Sequence, residues 1–359
     1  MSGGLEDIAA RLGVAVSTVS RALAGKPGVS EQRRARIVQL AAELGYIPDP
    51  LASTLRSGRG SGLAVIVTSR PTGISAMRNY AIFSHGSELF GHTRVLVVNE
   101  NETLDHVVRQ ALQQKCRAIV VSTLGGVLAD ETIAALEKRR VPLAIIDAEC
   151  NAGSHFRIDR SAGTCQCARL LVLNGCRHIV VFSTASPQNP DPRLDGIQRG
   201  FAGLGQALPT ENVVPIQAGH EGGYRAMKEL LRERAVDAAF CYSDETAQGA
   251  LRALAEARVA VPGQVQIVGF DNLPSSAYGS IPLTTVAQPV DEIARAAVTL
   301  CAEQAEHSVT DPVMQTFPTR LIVRESAPVL RHEIRARIFD QSDTQSQTEH
   351  LGSPKEART

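Results

Sequence analysis

The chain has 359 residues, 43% of them hydrophobic, against roughly 100–200 residues for a typical domain, so two or three domains with a sizeable core are expected and wholesale disorder is excluded. Lys plus Arg balances Asp plus Glu at 37 each, so net charge gives no global sign of a polyanionic partner. No window approaches the roughly 18 consecutive apolar residues of a membrane span, and Met1-Ser-Gly-Gly-Leu-Glu-Asp7 is neither a basic nor an apolar leader, so a cytoplasmic protein without membrane contact is expected.

The first predicted helix carries Leu5, Ile8, Ala9 and Leu12 at i, i+3, i+4 and i+7, and Gly13 follows where a C-terminal turn belongs. A second short helix fits Val16–Leu23, with Val19 and Leu23 inward and Ser17, Thr18, Ser20 and Arg21 outward. Ser30 is a good N-cap for a third, which has Glu31 in its first turn, Ile37, Val38, Leu40, Ala41 and Leu44 along it, and Gly45 to end it. Residues 1–60 hold eight basic and five acidic side chains, a candidate phosphate-facing surface. Three short helices with a tight turn between the first two is the helix-turn-helix arrangement.

The strings Asp7-Ile-Ala-Arg-Leu-Gly-Val14, Ser17-Thr-Val-Ser-Arg-Ala-Leu23, Val29-Ser30 and Glu43-Leu-Gly-Tyr-Ile-Pro48 resemble the DNA-binding headpiece of the lactose-repressor (LacI/GalR) family of transcription regulators. The resemblance implies that the second helix enters the major groove, with Val16, Ser17 and Arg21 reading base edges and Thr18, Ser20 and Ser30 donating hydroxyls to phosphates. An arginine fork suits guanine O6 and N7, whereas Val16 offers only apolar contact. Pro50-Leu-Ala52-Ser-Thr-Leu55 matches the spacing of the family's hinge helix. Leu55 stands where a leucine wedges into the minor groove, and Ala52 is the small residue that permits close approach. Asp49 and Ser53 stand where Asn and Arg are more usual, which puts the minor-groove backbone contacts in doubt. The family acts as two-fold dimers on near-palindromic operators, so a homodimer is expected.

From residue 63 short apolar runs recur: Leu63–Val67, Arg94–Val98, Ala118–Val121, Leu143–Ile146, Ile179–Phe182, Ala238–Cys241 and Val265–Val268. Without period-2 alternation they read as strands buried on both faces. Helical stretches lie between them, at Thr103–Lys115, Asp130–Arg139, Gly163–Asn174, Gly222–Arg234 and Glu245–Ala257. The alternation predicts an α/β fold with parallel sheets, and its length suits two lobes. Gly58-Arg-Gly-Ser-Gly62 precedes the first strand rather than following it, so it reads as a linker.

Leu63 to Glu325 resembles the same family's effector domain, a two-lobed core like periplasmic sugar-binding proteins, through Arg193-Leu-Asp-Gly196, Ser243-Asp-Glu-Thr-Ala-Gln-Gly249, Val268-Gly-Phe-Asp-Asn272 and Pro282-Leu-Thr-Thr-Val-Ala-Gln288. The resemblance implies a small-molecule effector, a carbohydrate, bound by Ser69, Asp147, Arg193, Ser243 and Asp271. Asp271 would accept from two hydroxyls and Arg193 would donate. Asp244, on the Ser243 loop, is expected to be structural. The chain departs from the family in Arg70-Pro-Thr-Gly-Ile-Ser-Ala-Met-Arg-Asn79, which lacks the usual Asn-Pro-Phe-Phe-like string. With no Trp, Tyr224, Phe270 and Tyr278 are the few aromatic candidates for stacking a sugar, Phe270 reads equally well as core, and a non-sugar effector stays open.

Residues 331–359 lose the apolar pattern and read as a solvated tail. The seven cysteines form no C-x-x-C pair, so buried thiols are expected, and neither cofactor nor metal. No G-x-S-x-G elbow or Walker loop is present, and His220-Glu221-Gly-Gly-Tyr224 lacks the second His of a zinc-protease helix, so an enzyme is not expected. The expected organisation is a headpiece at 1–48, hinge and linker at 49–61, a core at 62–330 and a tail at 331–359. The expected function is a repressor of palindromic operators under effector control, the alternative being a cytoplasmic small-molecule receptor without DNA binding.

Overall fold

The computed structural model describes residues 4–23, 25, 27–46, 62–69, 72–123, 125–184, 191–307 and 311–339, and the chain divides into two compact units, Met1–Ser61 and Gly62–Thr359. The first unit contains helices α1 (Leu5–Leu12), α2 (Val16–Leu23) and α3 (Glu31–Glu43). Gly13 ends α1 in the left-handed conformation (φ 61, ψ 35), which a residue without Cβ adopts freely and which turns the chain into α2. Ile8, Val19 and Ile37 are fully buried with Ala9, Ala22 and Ala41 around them. Two details differ from the sequence expectation. Ala22 rather than Leu23 is the second buried residue of α2, and Val38 is 48% exposed because it lies one helical step off the Ile37–Ala41 face. The hinge, with Ala52 and Leu55, falls outside the described residues.

The second unit is built on two six-stranded sheets. Its first half contains β1 (Leu63–Thr68), β2 (Thr93–Val98), β3 (Ala118–Ser122), β4 (Gly125–Gly126), β5 (Leu143–Ile146), β6 (Glu149–Cys150) and β7 (Ser154–Asp159), with helices α4 (Gly73–Phe90), α5 (Leu104–Gln113) and α6 (Asp130–Arg139) between them. Helix α7 (Arg160–Leu173) opens the second half, which holds β8 (Ile179–Ser183), α8 (Pro192–Ala202), β9 (Val213–Pro215), α9 (His220–Glu233), β10 (Ala238–Cys241), α10 (Asp244–Glu256), β11 (Gln266–Asp271), the turn α11 (Ser275–Tyr278) and β12 (Thr284–Ala287). The chain then returns to the first lobe through α12 (Val290–His307) and β13 (Met314–Pro318), and crosses again to β14 (Arg320–Ile322). Strand order is β13-β7-β5-β3-β1-β2 in one sheet and β14-β12-β11-β10-β8-β9 in the other, and β4 pairs with β6 alone. Every strand pair recorded is parallel except β12–β14.

Continuous apolar strands follow from covering both faces. Leu63, Val65 and Val67 of β1 enter a core with α4 and α12, while Ala64 and Ile66 enter the opposite core with α5 and α6. In the second lobe α7 and α8 cover one face and α9 and α10 the other. Both helix pairs approach backbone to backbone. A Cβ at Gly196 of α8 would fall 2.0 Å from Thr164 Oγ1 and 2.3 Å from the Ser161 carbonyl, and one at Gly249 of α10 would fall 1.9 Å from the His220 carbonyl.

The lobes are joined by three crossovers, Asp159–Arg160, Ala287–Val290 and Pro318–Arg320. The first and third are tied together: Thr319 donates its amide (3.1 Å) and hydroxyl (2.8 Å) to the Asp159 carbonyl and accepts from the Gly163 amide at 3.0 Å. The solvated tail expected from residue 331 is corrected for 331–339. A 3-10 turn at His332–Ile334 and the short helix α13 (Arg335–Phe339) bury Ile334 and Ile338 beside α7. The charged residues between the two isoleucines hide their i, i+4 spacing in the sequence. Among the described residues no helix is long and apolar enough to cross a membrane.

Candidate functional site

The carboxyl ends of both sheets open onto one cleft of about 560 Å³ between the lobes, the position where open parallel sheets bind ligands. All five residues expected from the sequence to face an effector line it: Ser69 after β1, Asp147 after β5, Arg193 in the first turn of α8, Ser243 after β10 and Asp271 at the end of β11. Asp147 and Asp271 both have positive φ, 56 and 114, so their side chains project where a regular strand would not aim them.

One wall is cationic, formed by Arg78 of α4 in the first lobe and by Arg160 at the start of α7, just past the first crossover. Arg160 donates from Nη1 to Asp147 Oδ1 at 2.8 Å and from Nη2 to Oδ2, and Arg78 donates from Nη1 to Oδ2 at 3.2 Å. Arg78 Nε also donates to Ser122 Oγ at 3.1 Å, and that hydroxyl donates to Asn79 Oδ1 at 2.9 Å, which fixes the guanidinium plane. On the other wall Arg193 donates from Nε to both oxygens of Asp191 (2.9 and 3.0 Å) and from Nη1 to the Tyr242 carbonyl at 2.9 Å. Its guanidinium carbon lies 3.6 Å from the Tyr242 ring centroid and 4.9 Å from that of Phe270.

Asp271 accepts from Gln288 Nε2 at 2.7 Å. Burial, with the Asp244 charge added, pushes its carboxyl up to about 7. Asp244 itself is fully buried and accepts from the Leu273 amide (2.7 Å), the Ser276 hydroxyl (2.7 Å) and the Thr285 hydroxyl, so it holds the loop after β11 in place. Ser243 caps α10, its hydroxyl accepting from the Thr246 amide at 3.2 Å.

Sequence reasoning missed Arg78, Arg160, Ser122, Tyr242 and Gln288. Tyr242 was within reach, since it precedes the Ser243 motif by one residue. The aromatic candidates named from sequence are corrected. Phe270 takes the core alternative, fully buried beneath Arg193, Tyr224 donates its hydroxyl to Glu256 at 2.7 Å, and Tyr278 is 89% exposed; neither tyrosine lines the cleft. All seven cysteines are free. Cys116, Cys167, Cys241 and Cys301 are buried, and burial raises their thiol pKa values, whereas Cys150, Cys165 and Cys176 are only half-buried, against expectation.

In the first unit, Ser17 and Arg21 of α2 are exposed and Val16, Thr18 and Ser20 half-buried, while Val19 and Ala22 point into the core. Arg21 is held by no hydrogen bond or ion pair among the described residues. Ser30 occupies the N-cap position of α3, yet its hydroxyl makes no capping bond, leaving both its donor and acceptor to solvent.

Residues 4–49 match the family described as bacterial regulatory proteins, lacI family, and residues 168–327 match the periplasmic binding protein-like domain. The chain is 28% identical over 331 residues to the HTH-type transcriptional regulator GalR of Escherichia coli (strain K12), covering 90% of this chain and 95% of that one. It is 26% identical over 330 residues to GalS of Salmonella typhimurium (strain LT2), covering 90% and 96%. In fold it resembles the lac repressor dimer bound to operator and the anti-inducer ONPF, with a TM-score of 0.75 at 23% identity over 90% of this chain and 99% of that one. The complex of the regulator CelR with cellobiose aligns with a TM-score of 0.60 at 25% identity over 90% and 99%.

Proposed function

The chain belongs to the lacI family of bacterial regulatory proteins, and from that membership we infer a cytoplasmic, homodimeric repressor that binds a palindromic operator and whose operator affinity is set by a small-molecule effector, a sugar or sugar derivative. The family is one of transcriptional regulators, and the reading includes no catalytic step and no cofactor. The match over residues 4–49 leaves the alternative of a receptor without DNA binding unsupported. The observation that carries the effector half is the convergence of Ser69, Asp147, Arg193, Ser243 and Asp271, up to 202 residues apart in sequence, on one interlobe cleft.

In this reading Val16, Ser17 and Arg21 face base edges, Thr18, Ser20 and Ser30 position the headpiece on phosphates, and Ala52 and Leu55 engage the minor groove. The headpiece runs from 1 to 48, hinge and linker from 49 to 61, and the effector core from 62 to 339. An effector bridging the two walls changes the lobe angle about the three crossovers and with it the spacing of the two hinges in the dimer, a coupling worth ~1–3 kcal/mol. The test is selection of bound duplexes from a random pool with the full-length protein at near-physiological salt, followed by effector titration against the selected operator. A near-palindrome with a flexible central step supports the proposal; only sequence-independent, salt-sensitive binding, with and without candidate effectors, overturns it.

A further inference from the structure

We propose that the effector is an acid: a polyhydroxylated molecule bearing a carboxylate or phosphate that docks on Arg78 and Arg160. This rests on the cleft being the effector site and narrows what it takes. Two guanidiniums share one carboxylate, Asp147, and all three groups are shielded, their side chains 10%, 23% and 9% exposed. The cluster therefore holds one unmatched positive charge where water screens it poorly, an arrangement that is unfavourable until an anion arrives.

The nearest carboxylates outside the cluster offset that excess only in part, Asp271 acting on Arg78 and Asp191 on Arg160. The third cation of the cleft, Arg193, has a carboxylate of its own in Asp191, at 2.9 Å. Asp271 gives only a weak counter-charge near neutral pH, since its carboxyl is pushed up to about 7. Glu245 is half-exposed at the cleft margin, where solvent screens it. Burial lowers the Arg78 pKa and the charge of Arg160 also lowers it, against the raising effect of Asp147, while Arg160, held by both Asp147 oxygens, is shifted up.

Donor geometry agrees. Arg78 spends Nε on Ser122 and Nη1 on Asp147, and Arg160 spends Nη1 and Nη2 on Asp147, so Arg78 Nη2 and Arg160 Nε hold no partner among the described residues. Planar forks with spare N–H groups suit an oxyanion, which presents several acceptors at once. A neutral polyol would fill the acceptor role of Asp271 and leave the surplus cation as it stands. Ser122 and Asn79, by locking Arg78 in plane, keep the receiving wall formed before ligand arrives.

The experiment is calorimetric titration of the full-length protein with matched sets built on the common hexoses and pentoses: each neutral sugar and polyol, its aldonic and uronic acids, and its terminal phosphate, with inorganic phosphate as a minimal probe. The expected result is an acid or phosphate that binds at least ~10-fold tighter than its neutral counterpart, weakens with added salt, and loses at least ~10-fold of its affinity in Arg160→Gln while the neutral counterpart changes little. The carboxylate and phosphate arms tell the two sources apart. Arg160→Gln leaves a balanced Arg78–Asp147 pair, and Arg78→Gln provides a second variant; unchanged melting temperature verifies that each is folded. A neutral sugar that binds as tightly as its acid overturns the proposal while the cleft remains the effector site. If neither class nor inorganic phosphate binds, the proposal fails and the effector reading of the cleft fails with it.

Discussion

Replacing Asp271 by Asn should make the protein more stable and deaf to its effector. Asp271 is 8% exposed, and its carboxyl is shifted from 3.8 to about 7 by burial and by Asp244. Between those values the native state holds a proton that the unfolded chain has released, so stability falls as pH rises, by about 1.4 kcal/mol per unit. Over the ~3 units involved the loss reaches ~4 kcal/mol at pH 8, an upper limit because the buried Asp244 titrates in the same interval. Asn removes this burden yet keeps the oxygen that accepts from Gln288 at 2.7 Å, and it tolerates the φ of 114. Calorimetric melts of wild type and variant at pH 5 and pH 8 should show the variant ahead by ~4–8 °C at pH 8, at roughly 2 °C per kcal/mol for a unit of this size, with most of the gap gone at pH 5. A gap of equal size at both pH values, or a wild type that is the more stable at pH 8, would refute the assignment. Effector response should be lost in either case, since the amide offers one acceptor oxygen where the carboxyl group offers two.

Four further outcomes are expected. Ile37→Ala should cost about 2–5 kcal/mol in a unit whose whole stability is on the order of 3–7 kcal/mol, so operator binding should vanish at 37 °C while the main calorimetric transition stays put. Arg21→Gln should weaken specific binding by ~1–3 kcal/mol per half-site and relax selection at one base pair, measured by repeating the duplex selection. Leu55→Ala should reduce operator bending in a gel-shift phasing assay, and unchanged bending would remove the wedge. Gly249→Ala, with its Cβ 1.9 Å from the His220 carbonyl, should destabilise the core by ~2–3 kcal/mol in a urea melt.

How much could be read from the chain depended on where the signal is stored. Strand β1 was legible because both faces of the sheet are covered and every residue from Leu63 to Val67 is buried, and the headpiece was legible because its helices and caps are set by neighbours within eight positions. Strand β12, Thr284–Ala287, was missed because its first two residues are polar. Their hydroxyls reach the Arg324 carbonyl and Asp244, contacts 40 and 41 residues away. Helix α7 starts at Arg160, three residues before the Gly163 expected from the sequence, because Asp159 caps it through the Ser161 and Ala162 amides. The three residues that the capping adds bring Arg160 to the cleft. Arg78 lies 69 residues from its carboxylate partner, a pairing that no local pattern encodes, and it sits in helix α4, whose buried Arg78 and Asn79 blur its apolar stripe.

The glycines at 196 and 249 have a mechanical consequence. Where helices meet through side chains, one can slide over the other as rotamers adjust; where backbone touches backbone at the distances seen beside Gly196 and Gly249, there is no such play. The second lobe should then turn as a block, and a rotation imposed at the cleft would be carried to Asp159, Pro289 and Thr319 at the crossovers. A lever without slack gives a response that is angular and abrupt, so intermediate effector occupancy should appear as a mixture of two lobe angles rather than as one intermediate angle.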